Sequence, residues 1–253
     1  NRFTELLKRR GKNQSDAAAI YREIYSYIKG SAKALASGNG KLSLDEYLGM
    51  DRKASQSSSQ KRKEFYELFD SFNKDDNVFD VLDIVHHLYK QLQTGRLEKD
   101  GFVKLDALYI DECQDFTEAH LLLFSSLVKH VSTITMAGDR TQTIAKGVGF
   151  RFKSLATMLW NLSSRDQKTT QANVDVQQLV RNYRCHSGIL GVSNLIQQTM
   201  LQCLFPGLVD KADEEKSYFS GPCPILVENV EWRDMVRFLK TDNQKLDFGA
   251  DTV

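Results

Sequence analysis

The stretch that most constrains this chain runs Lys104-Leu105-Asp106-Ala107-Leu108-Tyr109-Ile110-Asp111-Glu112-Cys113-Gln114-Asp115. Its apolar run, Ala107 to Ile110, stops abruptly at two acids. That is the pattern of a buried parallel strand whose C-terminal end opens onto a polar site. A helical run from Thr117 to Val128 follows, with Glu118 near its positive N-terminal end. A second apolar run, Ser132 to Ala137, then ends at Gly138-Asp139. Strand, helix, strand at this spacing is a βαβ unit, which implies a parallel sheet and a right-handed crossover. Open sheets of that kind bind ligands beyond the carboxyl ends of their strands, where both acidic turns fall. Acids at a strand end also act as plain helix caps, so Tyr109 to Asp115 alone leaves two readings open.

In a nucleotide hydrolase the first acid of such a pair holds Mg²⁺ through its water shell and the second orients and deprotonates the attacking water. Asp111-Glu112 is therefore a Walker B candidate. Two later segments extend the pattern. Thr133-Ile134-Thr135-Met136-Ala137-Gly138-Asp139-Arg140-Thr141-Gln142-Thr143-Ile144 places a Gln amide shortly after the second strand. Leu179-Val180-Arg181-Asn182-Tyr183-Arg184 precedes a helical run, Ser187 to Leu204. The order DECQD, GDRTQ, LVRNYR within about eighty residues resembles motifs II, III and IV of the UvrD/Rep branch of superfamily 1 helicases. FDVLDI at Phe79 to Ile84 resembles the acidic helical segment before motif II. LSLDEYLGMDRK, FPGLVD, FSGPCPILVE and FGADTV resemble the UvrD-like ATPase region of the large TPR and ankyrin repeat-containing proteins.

The resemblance implies an α/β fold of the P-loop NTPase class: a RecA-like parallel sheet with an inserted helical subdomain, and part of a second RecA-like lobe. Residues 1–100 would be the mostly helical subdomain, 101–165 the C-terminal half of the first lobe, and 173–253 the start of the second, with 163–172 as linker. The implied activity is that of an ATP-dependent DNA or RNA helicase or nucleic-acid-translocating ATPase, using ATP and Mg²⁺. Asp111 would hold the metal and Glu112 would activate water. Gln142 would sense the γ-phosphate, and Arg184 would reach across from the second lobe, unless it is an ordinary salt-bridge Arg. Gln114 and Asp115 would couple the acidic motif to motif III and the nucleic-acid surface. Phe150, Arg151 and Phe152 either stack on single-stranded bases or pack in a helix core.

Several segments look functional and fail on inspection. Ser37 to Ser43 contains Gly40-Lys41, but Leu35 stands where a phosphate loop needs its first Gly and Leu42 where it needs a hydroxyl. Asn73 to Asn77 is acid-rich like a calcium loop, yet Val78 and Ile84 occupy the positions of the turn Gly and the closing Glu. His86 and His87 are adjacent, so on a helix they diverge and cannot form a two-His metal pair. The four cysteines lack CxxC spacing, which points to a reducing intracellular compartment, nuclear or cytoplasmic, and no apolar run is long enough to span a membrane.

A net charge of +1 hides a segregation: 14 Lys and Arg against 6 Asp and Glu over residues 1–63, then 5 against 14 over residues 64–119. The basic third either tracks a phosphate backbone or is a solvated helical face. Elsewhere the periodicity predicts helices over Gln14 to Leu35, Ser43 to Gly49 with Ser43 and Glu46 as a capping box, Lys61 to Phe72, Val78 to Leu92 and Trp232 to Leu239, and strands over Val174 to Val180 and Ile225 to Val230. No GxxxxGK[ST] occurs in the chain. Family order would place that loop before Asn1 and a second arginine after Val253, so the chain reads as a fragment whose partners include the rest of its own polypeptide, and which alone would be inactive. Ile144 is followed by Ala145-Lys146 where relatives often carry a base-stacking aromatic residue. That leaves a regulatory or scaffolding ATPase module as the alternative to a strand-unwinding enzyme.

Overall fold

The computed structural model describes residues 14–50, 58–73, 80–139, 152–165, 174–200, 203, 214–225 and 228, and the chain divides into two units, residues 1–175 and 176–253. The first unit begins with α1 (Gln14–Arg22), which widens into a π-helical turn over Glu23–Ile28. The expected single helix from Gln14 to Leu35 is in fact broken at Gly30-Ser31. Ser31 takes the extended conformation of an N-cap and accepts from the Ala34 N–H, starting a new helix, α2 (Ala32–Ala36). Gly30 is required at the break, because a Cβ there would lie 2.0 Å from the Tyr25 carbonyl oxygen and 3.0 Å from Thr117. Helix α3 (Leu44–Leu48) forms as expected on the reciprocal Ser43–Glu46 capping box.

Helix α4 (Ser59–Asn73) sets Phe65, Leu68 and Phe69 on one face, where they meet Ile20, Ile24, Ile28, Leu42 and Tyr47 in a first hydrophobic cluster. Two charged residues are buried within it. Glu23 accepts a 2.7 Å hydrogen bond from the Tyr47 hydroxyl. Arg62, only 2% exposed, donates to the carbonyls of Tyr47 and Met50 at 3.0 and 3.3 Å and to that of Leu48, and its guanidinium lies 5.5 Å from the Tyr47 ring centroid. Those carbonyls lie at and just beyond the end of α3, where few intrahelical donors remain.

Helix α5 (Val81–Gln93) starts at Asp80, whose carboxylate forms a second capping box with Asp83. The buried Lys29 ammonium reaches both acids, at 2.8 and 2.6 Å, tying the end of the π-helical turn to the start of α5. His86 Nε2 donates to the Lys29 carbonyl at 2.8 Å, while His87 is exposed. A tight turn through Gly95 leads to α6 (Arg96–Lys99) and then to β1 (Leu108–Ile110). Helix α7 (Glu118–Ser125) crosses back to β2 (Ile134–Met136), and the strands pair in parallel with Leu108 opposite Ile134 and Ile110 opposite Met136. The expected βαβ unit is thus present, though β1 is shorter than Lys104 to Asp111: upstream of Leu108, Leu105 makes only an isolated bridge to Val128. Helix α8 (Phe152–Arg165) adds Leu155 and Met158 to a second cluster with Leu82, Val85, Leu92, Ile110, Cys113 and Leu121–Leu123.

In the second unit β3 (Arg181–Asn182) pairs in parallel with β4 (Lys216–Ser217), and α9 (Ser187–Thr199) follows β3. The strand expected over Val174 to Val180 is not formed. Its apolar residues do not keep a strict alternation, Gln177-Gln178 being followed by Leu179-Val180, and among the described residues pairing begins only at Arg181. The segments expected as Ile225 to Val230 and Trp232 to Leu239 fall largely or wholly outside the described residues, as does Asn73 to Asn77 beyond Asn73. The family expectation of a mixed α/β fold with parallel strands is met. No helix among the described residues is long and apolar enough to cross a membrane.

Two predictions follow from buried charge. Arg62→Ala removes the guanidinium that donates to three backbone carbonyls and should cost about 3–5 kcal/mol, read as a lower urea midpoint. His86 and His120 are both held below the ordinary histidine range, first by burial. Their neutral forms are therefore favoured by folding, so stability is full above pH ~6.5 and falls as pH drops through the depressed folded values. Asp83 stays charged through that window: burial pushes its pKa up, but the Asp80 backbone N–H and Lys29 outweigh this and hold it below the carboxylate range. Thermal denaturation between pH 7.5 and 5 should show a falling midpoint, with a smaller fall in His86→Asn/His120→Asn.

Candidate functional site

The parallel ladder continues one step past each strand and so fixes the turns that follow. Ala137 N donates to the Ile110 carbonyl at 2.8 Å, and Cys113 N donates to the Ala137 carbonyl at 2.9 Å. Between those two bonds lie Asp111 and Glu112, both exposed at the C-terminal end of β1. Glu112 sits in the left-handed region at φ 51°, ψ 39°, and is the only non-glycine residue with positive φ among the described residues. For a Glu this costs roughly 1–2 kcal/mol. The turn supplies compensation. Asp111 Oδ1 accepts from the Glu112 N–H at 2.9 Å, and the Asp115 N–H donates to the Glu112 carbonyl at 3.0 Å, opening a 3₁₀ turn over Cys113–Asp115.

The Gln114 side chain, 1% exposed, joins the two acidic turns. Its Nε2 donates to Glu112 Oε2 at 2.5 Å, and its Oε1 accepts from the Asp139 N–H at 2.9 Å. Both ends of a buried amide are thereby satisfied, one by a charged acceptor. Gly138 makes room for it, since a Cβ there would lie 2.6 Å from Gln114 Oε1 and 2.7 Å from Cys113 Sγ. Cys113 itself is fully buried, and burial, followed by the charges of Asp111 and Glu112, pushes its thiol up to about 11. It is a packing residue, not a nucleophile.

The turn is anchored on its far side by Thr117, the N-cap of α7, whose hydroxyl lies 2.7 Å from His120 Nδ1. The start of α7 is also stitched to the break after the π-helical turn, with Ala119 N donating to the Gly30 carbonyl at 2.8 Å and Glu118 Oε2 accepting from Ala32 N at 3.2 Å.

Of the residues singled out from sequence, Asp111, Glu112, Gln114 and Asp115 thus share one turn. Arg184 lies in the second unit, exposed, just beyond β3; its N–H and that of Cys185 donate to Asn182 Oδ1 at 2.9 and 2.8 Å. Gln142, Phe150 and Arg151 lie outside the described residues, and Phe152 is described only as the first residue of α8. Gly138 and the Asp139 backbone were not picked out as site residues. The signal was available in the Gly-Asp that ends the second strand, but its need for a missing Cβ depends on Gln114, which is remote in sequence.

Residues 3–159 match the model of the UvrD/REP helicase N-terminal domain. The chain is also similar to human TPR and ankyrin repeat-containing protein 1, with 32% identity over 96% of this chain. That alignment spans only 8% of the relative's length. With an acidic turn after a parallel strand wired to a second glycine-aspartate turn, and a family match over more than half of its residues, the chain belongs to the UvrD/Rep helicase family.

Proposed function

We propose that this chain carries the metal- and water-handling side of an ATP site in a superfamily 1 helicase or nucleic-acid-translocating ATPase. The observation that carries this reading is the Gln114 amide, which fixes the Glu112 carboxylate against the turn of Asp139. Glu112 is the general base: it is exposed where a water can reach it, and it is oriented by a donor on one oxygen. Asp111 is the magnesium residue. Mg²⁺ is commonly held by one or two carboxylates together with substrate phosphates, and Asp111 offers a hard oxygen donor at the strand end, with no Lys or Arg paired to it among the described residues. When bound, the ion neutralises charge on the terminal phosphates.

Gln142 is the γ-phosphate sensor in this reading, and Arg184 the cross-lobe cation, a role worth on the order of 10³-fold or more in rate. Gln114 and Asp115 couple the acidic turn to the nucleic-acid surface, and Phe150, Arg151 and Phe152 stack on single-stranded bases. Residues 1–100, 101–165 and 173–253 are the helical subdomain, the C-terminal half of the first lobe and the start of the second. In this reading the phosphate-cradling loop is contributed by another part of the full-length polypeptide.

In the full-length polypeptide, Glu112→Gln should lower ATP turnover by at least 10²-fold while leaving ATP affinity within a few-fold, measured by phosphate release and equilibrium binding. Wild-type turnover in that variant would remove Glu112 as the base. Gln114→Leu, which keeps the volume but frees the Glu112 carboxylate, should lower kcat about 10-fold or more with little change in KM. Stimulation of turnover by single-stranded DNA or RNA supports translocation. Indifference to both supports a regulatory ATPase module, the reading favoured by Ala145-Lys146 after Ile144.

A further inference from the structure

Residues 64–119 hold only five basic side chains against fourteen acidic ones, and three of the five, Lys90, Arg96 and Lys99, line a single cavity with Gln91 and Thr94. The cavity, about 430 Å³, forms because Gly95 turns the chain through φ 65° and sets the last turn of α5 beside α6. Arg96 and Lys99 are three apart on α6, and Lys90 and Thr94 four apart at the end of α5, so each pair shares a face.

These cations are not needed to finish α5. Thr94 N and Oγ1 both donate to the Lys90 carbonyl, Thr94 Oγ1 also donates to that of Gln91, and Gly95 N donates to that of Leu92. Among the described residues none of the three is in an ion pair, and no acid lines the cavity. Like charges gathered around a concavity focus a positive potential there. A planar guanidinium fork beside two ammonium groups is a donor set for phosphate oxygens.

The shape selects among anions. Glu98 and Asp100 neighbour the cavity in sequence and the whole segment is acidic, so a long polyanion laid across it would meet repulsion on leaving the cavity. A compact anion held among the lining residues would meet three cations and two neutral side chains. We propose that the cavity formed by Lys90, Gln91, Thr94, Arg96 and Lys99 binds a free, compact polyphosphate. The site is separate from the acidic turn: α6 runs through the Phe102 N to Leu97 carbonyl bond and the Leu105–Leu127 contact into the N-terminal end of β1, whereas Asp111 and Glu112 follow its C-terminal end.

The test is calorimetric titration of the 253-residue chain with inorganic tripolyphosphate at low salt, with EDTA present so that no divalent metal recruits it to the acidic turn. The expected result is saturable binding of one anion per chain that weakens steeply with salt. Lys90→Gln/Arg96→Gln/Lys99→Gln should weaken binding at least 10-fold, and the charge-matched Lys61→Gln/Lys63→Gln/Lys216→Gln should change it less than 3-fold, both keeping the wild-type urea midpoint. Equal losses in the two triples, or no saturable binding by the wild type, would overturn the proposal. So would tripolyphosphate failing to bind while a single-stranded oligonucleotide does so in a manner lost in the first triple. Because the assay involves neither ATP turnover nor Glu112, its outcome is independent of the ATP-site reading.

Discussion

The carboxamide of Gln114 spans two loops that the parallel ladder brings side by side, and the local structure depends on its being satisfied at both ends. An amide removed from water without partners costs a few kcal/mol, so the loops after β1 and β2 are held at a fixed separation by the penalty for leaving it unpaired. That requirement propagates outward. Gly138 must lack a Cβ, Cys113 must be small and uncharged, and Glu112 must enter the left-handed region for its carboxylate to meet the Gln114 nitrogen. The strain at Glu112 is tolerable because several hydrogen bonds converge on a turn of five residues.

The same turn is tied to the helices that precede it in sequence. Lys29 ends the π-helical turn, holds both acids that start α5, and offers its carbonyl to His86. One residue on, Gly30 accepts from the first turn of α7, directly after the acidic motif. A buried ammonium between two carboxylates is weak evidence of net stability, because desolvation offsets most of the attraction. What it supplies is specificity of placement: moving α5 away from the π-helical turn would leave Lys29 buried without its counter-ions.

The local parts of this arrangement were legible in the sequence. The Ser43–Glu46 box is readable because both partners lie within one helical turn, and the βαβ unit because apolar runs of strand length flank an apolar helix. What could not be read depends on partners far apart along the chain. Lys29 looks like one more solvated base in a basic third until α5 brings Asp80 and Asp83 to it, and Arg62 like another until α3 ends against it. The helix expected to run through Gly30 is interrupted there because a Cβ would meet the Tyr25 carbonyl oxygen, five residues back, and the remote Thr117 closes the same space from the other side. The opposite error occurs at Val174 to Val180, where the β-branched residues suit a strand but a strand exists only where a neighbour pairs with it.

The same contrast separates the acidic turn, whose residue types stand out in the sequence, from the side chains that support it. Residues that handle a phosphate, a metal or a water must present particular atoms, so their chemistry is visible in their identity. Residues that hold them need only fill a space or complete a hydrogen bond, and many side chains can do that. Gln114 is a supporting residue whose type is nonetheless fixed: it needs a donor and an acceptor on one rigid plane, and its location is set by two backbones that meet only in the fold. A Glu there would present two acceptors to the Glu112 carboxylate and a Leu none to the Asp139 N–H, so the amide is the side chain at this position that serves both loops at once.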